Sequence, residues 1–214
     1  MTITKKTRLL PAPFVGTILD VSIDEGLVFK IRIAHLAEGR EHITVDWGDG
    51  TREVFDGDVS AVLHTYPAQG DYSIRFSDDV EYLAISNYNS KSTYYTVYAP
   101  MVRGFYSNAK RLRTIDPCAF RHCVNLSSLD VQKADVVAIN EWAFEDCRSL
   151  PNELSFPAVK DIQGTTDALP FAGCSGITAL HFAKANEEAI RALPLWEPTG
   201  GNFGAENATV YFDL

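Results

Sequence analysis

Between residues 14 and 85, apolar side chains alternate with polar ones in short runs that turn residues interrupt. In the run 27–33, which reads LVFKIRI, every second side chain is apolar, the pattern of a strand with one buried face. Comparable runs follow at 43–47, 62–66 and 72–76. Asp49 and Gly50 favour a hairpin turn, because glycine accepts the positive φ that a tight turn requires. Short strands at this spacing predict a β-sandwich.

In the second half the pattern changes to a block in which phenylalanine, cysteine and leucine recur three residues apart. The three clear blocks contain Phe120, Cys123 and Leu126, then Phe144, Cys147 and Leu150, then Phe171, Cys174 and Ile177. Their phenylalanines are 24 and 27 residues apart. We expect these nine side chains to point inward from coils that stack on each other, because one coil alone cannot bury its apolar edge.

Each block is followed by an apolar pair with one residue between them, which predicts a short strand. The predicted strands lie near 129–131, 154–156 and 180–182 and should pair in parallel as the coils stack. A weaker block precedes them at 106–115, and 210–212 has the pattern of a degenerate last turn. The segment 186–193 predicts a short helix with Asn186 as its N-cap.

Together these patterns predict a mainly β protein that divides between residues 86 and 96. Residues 1–86 should form the sandwich. Residues 87–214 should form a short solenoid with parallel strands, 3₁₀ or short helical segments and a C-terminal cap. Apolar residues make up 46% of the chain and charged residues 22%, which is ordinary for a folded protein.

Three ordered segments of the first half resemble the signature of the polycystic-kidney-disease (PKD) domain, approximately W-D-F-G-D-G-T, H-x-Y and G-x-Y-x-V. They are VDWGDGT at 45–51, HTY at 64–66 and GDYSI at 70–74. The first segment departs from the family in that Trp47 directly precedes Gly48. The resemblance covers residues 11–86 and implies an immunoglobulin-like sandwich, a module that usually spaces or binds and does not catalyse.

The residues of this signature have a structural interpretation of their own. We expect Asp49 to accept turn amides, His64 and Tyr66 to hydrogen-bond near the turn, and Trp47 to fill the core. The alternative is a calcium site, because hard cations take several carboxylates. Its ligands would be Asp46, Asp49, Asp56 and Asp58.

The repeated block resembles the cysteine-bearing BspA-type leucine-rich repeat, which reads approximately I-x3-A-F-x2-C-x2-L-x2-L-x-L-P. Residues 139–150 follow this pattern closely, whereas Pro170 stands where the family has alanine before Phe171. Members of that family are typically bacterial surface or mobile-element proteins that bind host or matrix ligands. The resemblance therefore implies adhesion and a place on the cell surface or on a phage particle.

Net charge and hydropathy narrow the classes of partner. The formal charge is −9, so the chain repels phosphate backbones and nucleic acid is a poor partner. No apolar run is long enough for a membrane span, and the first ten residues lack the apolar core of a signal peptide. Localisation is otherwise left unknown, since a signal could have been removed.

Three of the four cysteines occupy one equivalent position in the repeat. Buried thiols are the favoured interpretation, because free cysteine packs as a small hydrophobe. Disulfide or redox chemistry and zinc binding are the alternatives, although no Cys-x2-Cys pair occurs. Cys118 lies outside the repeat position, and we expect it to be the most reactive thiol.

No catalytic motif occurs in the sequence, so we expect no enzyme, no cofactor and no metal site. A tyrosine-rich segment at 87–98 and a basic run after it are the candidate binding surfaces. Their candidate residues are Tyr88, Tyr94, Tyr95, Tyr98, Arg103, Arg111 and Arg113. The alternative for the tyrosine-rich segment is a domain junction in which the tyrosine rings pack between the two halves. The alternative for the basic run is a solvated face without a ligand, and an anionic glycan is its less favoured interpretation.

Two functional hypotheses follow from these features. The first is a non-catalytic module that recognises a protein or glycan, as an adhesin or phage-tail protein would. The second is a structural spacer in a larger assembly with no ligand of its own. An exposed aromatic patch of ligand size would favour the first hypothesis, and the oligomeric state is left open.

Overall fold

The computed structural model of the chain describes residues 14–36, 42–56, 59–77, 80–85 and 97–214. It is mainly β, which confirms the predicted class. The strands of the first half are β1 (Thr17–Ile23), β2 (Val28–Leu36), β3 (His42–Asp46), β4 (Arg52–Asp56), β5 (Val59–Thr65), β6 (Gly70–Phe76) and β7 (Val80–Ala84). Those of the second half are β8 (Val102–Ser107), β9 (Thr114–Ile115), β10 (Ser128–Asp130), β11 (Ala138–Ile139), β12 (Glu153–Phe156), β13 (Asp161–Ile162), β14 (Ala179–Phe182) and β15 (Thr209–Phe212).

Antiparallel strands of the first half form two sheets. Strands β1, β6, β3 and β4 are neighbours in one sheet, and β5, β2 and β7 form the other. Phe29, Ile31, Trp47 and Phe76 are fully buried in the core that the sheets share. The predicted hairpin joins β3 to β4, and the Trp47 N–H donates to the Thr51 carbonyl oxygen at 3.1 Å across its loop.

The strands of the second half pair in parallel, in separate groups. One sheet has the order β13-β11-β9 and another the order β12-β14-β15. The prediction that the three strands after the repeat blocks pair with one another is therefore wrong for the first of them, β10. Strand β10 pairs with β8, with Leu129 opposite Phe105, while β12 pairs with β14.

A single sheet connects the two halves of the chain. Strand β1 pairs with β6 on one side and with β8 on the other, and β10 adds in parallel to the outer edge of β8. The Ile85 N–H also donates to the Ala119 carbonyl oxygen at 2.8 Å. The predicted division at 86–96 lies outside the described residues and stays a prediction.

Side chains of the three blocks stack from coil to coil. The rings of Phe120 and Phe144 are 5.5 Å apart, and those of Phe144 and Phe171 are 5.4 Å apart, each pair within 7° of parallel. Backbone hydrogen bonds run alongside, from Phe120 N–H to the Ala143 oxygen and from Phe144 N–H to the Pro170 oxygen, both 2.8 Å. All nine side chains of the blocks are buried.

All four cysteines are free and buried. The thiols of Cys147 and Cys174 donate to the carbonyl oxygens of Phe120 and Phe144, at 3.0 and 2.9 Å. Burial raises the pKa of Cys174 to about 12. Cys118, expected to be the most reactive thiol, is as buried as the repeat cysteines and lies in a tight turn where φ is 59°, so burial does not favour that expectation.

In each of the three blocks, the residue two positions after the phenylalanine lies in the left-handed region. His122, Asp146 and Gly173 occupy this position with φ of 60°, 60° and 73°. His122 Nδ1 lies 3.1 Å from Asp146 Oδ2. A Cβ on Gly173 would lie 2.7 Å from Asp146 Oδ1, so glycine lets the next coil approach this carboxylate.

A helical segment covers the end of the stack, with a 3₁₀ turn at Lys184–Asn186 and the helices α1 (Glu187–Arg191) and α2 (Trp196–Thr199). The predicted helix is present but ends two residues early, and Asn186 is not its side-chain cap. The Asn186 amide instead donates to the carbonyl oxygens of Pro157 and Val159, at 3.3 and 3.1 Å, and so ties the cap to the preceding coil. Within the described residues, no helix is long and apolar enough to cross a membrane.

Candidate functional site

The outward face of the sheet β12-β14-β15 is the candidate site. Parallel pairing in register places Ser155 opposite His181 and His181 opposite Tyr211. Their neighbours along each strand, such as Leu180 and Phe182, are buried, so the alternation of the strand turns this row outward. We call Ser155, His181, Tyr211 and Asp213 the strand face.

An aromatic pair lies at the centre of the strand face. The rings of His181 and Tyr211 are 5.0 Å apart and within 14° of parallel. His181 Nδ1 lies 2.9 Å from Asp213 Oδ1, which orients the imidazole. Tyr211 is 44% exposed and the Asp213 side chain 52% exposed. The face therefore offers a ring for stacking beside a carboxylate and hydroxyls for hydrogen bonding.

The strand face contains the residue types of a serine-histidine-aspartate triad, but its geometry differs from one. In a triad the serine hydroxyl hydrogen-bonds to the imidazole nitrogen that does not face the carboxylate. In the part of the chain that the structure describes, no hydrogen bond joins Ser155 to His181. The imidazole instead stacks on Tyr211, and its Nδ1 faces Asp213.

The signature residues of the first half form a buried structural cluster, as predicted. The Trp47 and His64 rings stack at 4.4 Å, and the Tyr66 hydroxyl donates to the Trp47 carbonyl oxygen at 3.2 Å. Asp49 accepts the Thr51 N–H at 2.9 Å and lies 2.8 Å from His64 Nε2. Burial raises the pKa of Asp49, but the hydrogen bonds from Thr51 and His64 outweigh burial and lower it to about 2.

The carboxylates of the calcium alternative bond to separate protein partners. Asp46 accepts the Gly48 N–H and pairs with Arg52, each at 3.1 Å. Asp56 pairs with His42, and Asp58 lies outside the described residues. Across the described ranges, no group of three or more histidine, cysteine, aspartate or glutamate side chains could hold a metal ion.

Three of the four candidate tyrosines, Tyr88, Tyr94 and Tyr95, lie outside the described residues. The fourth, Tyr98, is half-buried, and its ring packs edge-on against Phe29 of the first-half core at 6.3 Å. This contact is what the junction alternative expects of Tyr98.

The candidate arginines do not converge on one site. Arg103 donates to the Pro100 carbonyl oxygen, and Arg113 Nη1 lies 3.8 Å from Asp135 Oδ2. Lys110, in the same basic run, pairs with Asp135 at 3.0 Å, and Arg111 is half-buried. Because acidic partners offset part of this charge, the run is a weaker candidate for an anionic ligand than the sequence indicates.

Sequence reasoning missed the strand face, although the repeat contained a signal for it. Ser155 and His181 are the residues between the two inward apolar positions of their strands, and Tyr211 has the same place in 210–212. Such positions alternate outward by strand geometry, so listing them predicts the exposed row. Comparisons with known proteins give no further guide, because no family model, curated protein or solved structure matches the chain.

Proposed function

We propose that the chain is a non-catalytic recognition protein that binds a protein or a glycan through the strand face. The observation that carries the proposal is the exposed Tyr211 ring, stacked on His181 beside Asp213 on an open sheet. Tyrosine contributes large contact area at low entropic cost and is enriched where proteins bind each other. A broad face of this kind suits a macromolecule better than an enclosed small substrate.

The proposed architecture is a PKD-like β-sandwich followed by BspA-type leucine-rich repeats. The buried cluster around Trp47 supports the first assignment, since it uses the residues of the PKD signature together. The stacked Phe120, Phe144 and Phe171 rings support the second, since they recur with the repeat period. By the same resemblance, we propose a place on a bacterial cell surface or a phage particle.

A structural spacer without a ligand is the second candidate. The feature that favours it is the sheet shared by the two halves, in which β1 bridges β6 and β8. A spacer needs such mechanical continuity, and it does not need an exposed aromatic pair. The two functions therefore predict different results for variants of Tyr211.

The test is binding of the purified chain to glycan and protein arrays at concentrations up to tens of micromolar. We expect the chain to bind at least one ligand on the arrays. We expect Tyr211→Ala to weaken the binding of that ligand roughly tenfold or more, as for an interface hot spot. Asp213→Asn should also weaken the binding of this ligand, because the substitution removes the negative charge of the carboxylate but keeps the shape of the side chain.

The matched control is Leu63→Ala, which removes a 60% exposed side chain from β5, away from the strand face. This control should leave binding unchanged. Melting curves of all variants should stay close to that of the parent chain. An array without signal above background, or binding that Tyr211→Ala does not alter, contradicts the proposal and leaves the spacer function.

A further inference from the structure

A groove lies between the sheet β13-β11-β9 and the cap, away from the strand face. Its volume is about 510 Å³, within the range of ligand sites. Ile162 and Ala168 line it from the repeat side and Leu195 from the cap side, and all three side chains are buried. Gly164 also lines the groove, and a Cβ there would lie 2.4 Å from the Ala168 carbonyl oxygen, so the backbone passes closely at this point.

The groove also carries an indole in a strained backbone conformation. Trp142 has φ of 53°, and Cys118 has φ of 59° at the equivalent position, two residues before the phenylalanine of its block, so this left-handed turn recurs in two blocks. The Arg121 guanidinium lies 5.1 Å from the centre of the Trp142 ring and pairs with Glu145. The chain's own guanidinium therefore covers part of this indole, and a ligand in the groove would contact the remainder of the ring.

The polar side chains of the groove carry negative charge. Glu141 and Asp161 both line it, together with Gln163 and Thr165, and none of its lining residues is lysine, arginine or histidine. Gln163 Nε2 donates to Asp161 Oδ2 at 2.8 Å, which fixes this carboxylate at the groove. A ligand that fits must place apolar surface against the walls and positive charge near the carboxylates.

Tryptophan and carboxylate side chains bind two classes of ligand, neutral sugars and cationic side chains. The residues that line the groove distinguish between the two classes. Neutral sugars stack on flat aromatic platforms, whereas this groove is also lined by the aliphatic side chains of Ile162, Leu193, Pro194 and Leu195. A lysine or arginine side chain combines an aliphatic stem with a cationic head and so matches both features. Charge complementarity therefore favours a basic peptide over a glycan.

We propose that this groove binds a peptide segment of a partner protein, with a lysine or arginine side chain lying against Trp142 and its charge at Asp161 and Glu141. This site is separate from the strand face. It would select peptides in which a basic residue is flanked by apolar residues. Variants of the two sites therefore test the two proposals separately.

In the experiment, the intact chain is used to probe an array of synthetic peptides. The peptides come in pairs that are identical except for the central residue, which is lysine in one member and norleucine in the other. Norleucine keeps the stem and removes the charge. We expect the lysine member of bound pairs to bind roughly tenfold tighter in fluorescence anisotropy, and this preference to shrink between about 0.05 and 0.3 M NaCl. The variant Glu141→Gln/Asp161→Asn should lose the preference while keeping its melting temperature.

The matched control is Glu188→Gln/Glu206→Gln, which removes two exposed carboxylates outside the groove and should retain the preference. Equal binding of lysine and norleucine peptides would overturn the proposal, as would an unchanged preference in the groove variant. A neutral oligosaccharide whose binding is lost in Asp161→Asn would assign the groove to a glycan and overturn it too.

Discussion

At the residue scale, one buried carboxylate shows how a turn and a core support each other. Asp49 accepts two hydrogen bonds from Thr51, and its other oxygen lies 2.8 Å from His64, which stacks on Trp47. The Asp49 side chain is only 2% exposed, so replacing it would leave His64 without its partner. The turn residues of this signature therefore serve stability and do not form an open site.

The lowered pKa of Asp49 predicts how stability depends on pH. Because its folded pKa of about 2 lies below the ordinary 3.8, Asp49 stabilises the fold above about pH 4, and the contribution is lost as pH falls through 2. We expect this loss to be about 1–2 kcal/mol. Urea unfolding of the parent chain and of Asp49→Asn between about pH 5 and pH 2 measures it.

The Asp49→Asn variant should be less stable at pH 5 and should show a flatter pH dependence. Asp167→Asn, which removes an exposed carboxyl in the second half, is the control and should follow the parent chain. Parallel curves for the parent and Asp49→Asn across the acid range would disprove the role assigned to Asp49.

At the scale of elements, the repeat blocks depend on each other through one column of rings. Phe144 stacks on Phe120 on one side and on Phe171 on the other, and its carbonyl oxygen accepts the Cys174 thiol. In the solenoid architecture proposed above, coils gain most of their stability from their interfaces with neighbours. A cavity in the middle coil should therefore weaken the coils on both sides.

For Phe144→Ala we expect a loss of about 3–5 kcal/mol in the free energy of unfolding, because a fully buried ring leaves a cavity. Thiol labelling of Cys123 and Cys174 in the native state should also become faster, since both lie in adjoining coils. The control Phe55→Ala removes a half-buried ring from edge strand β4 and should raise the two labelling rates much less than Phe144→Ala does. An unchanged melting temperature for Phe144→Ala would contradict the stacking.

At the scale of the whole molecule, the sheet through β1 links the two halves. Strand β1 pairs with β6 of the first half and with β8 of the second, so unfolding either half exposes an edge of the same strand. Shared pairing of this kind favours a single cooperative transition.

We therefore expect both halves to unfold at the same denaturant concentration. In Trp142→Phe/Trp196→Phe, the fluorescence of Trp47 reports the first half, and pulsed labelling of the four cysteines reports the second. Circular dichroism of this variant should match the parent chain and so serves as its control. Two well-separated midpoints would show that the halves are independent in stability.

Local patterns were sufficient for features that depend on nearby residues. The hairpin at Asp49, the buried Trp47 and the inward positions of the blocks follow from period and turn chemistry, which are local properties of the chain. The helix at 187–191 was predictable for the same reason, but its Asn186 side chain was not, because its acceptors Pro157 and Val159 lie more than twenty residues away.

The sequence by itself therefore determined the mainly β class, the repeat period and which side chains form the stacked core. Tertiary structure alone decided that β10 joins β8, that one sheet spans both halves, and that Cys118 is buried. It also brought together His181, Tyr211 and Asp213, and it placed Trp142 and Leu195 in the lining of one groove. The physical reason is that inward positions repeat along the chain, whereas strand partners and surface sites depend on which distant segments come into contact.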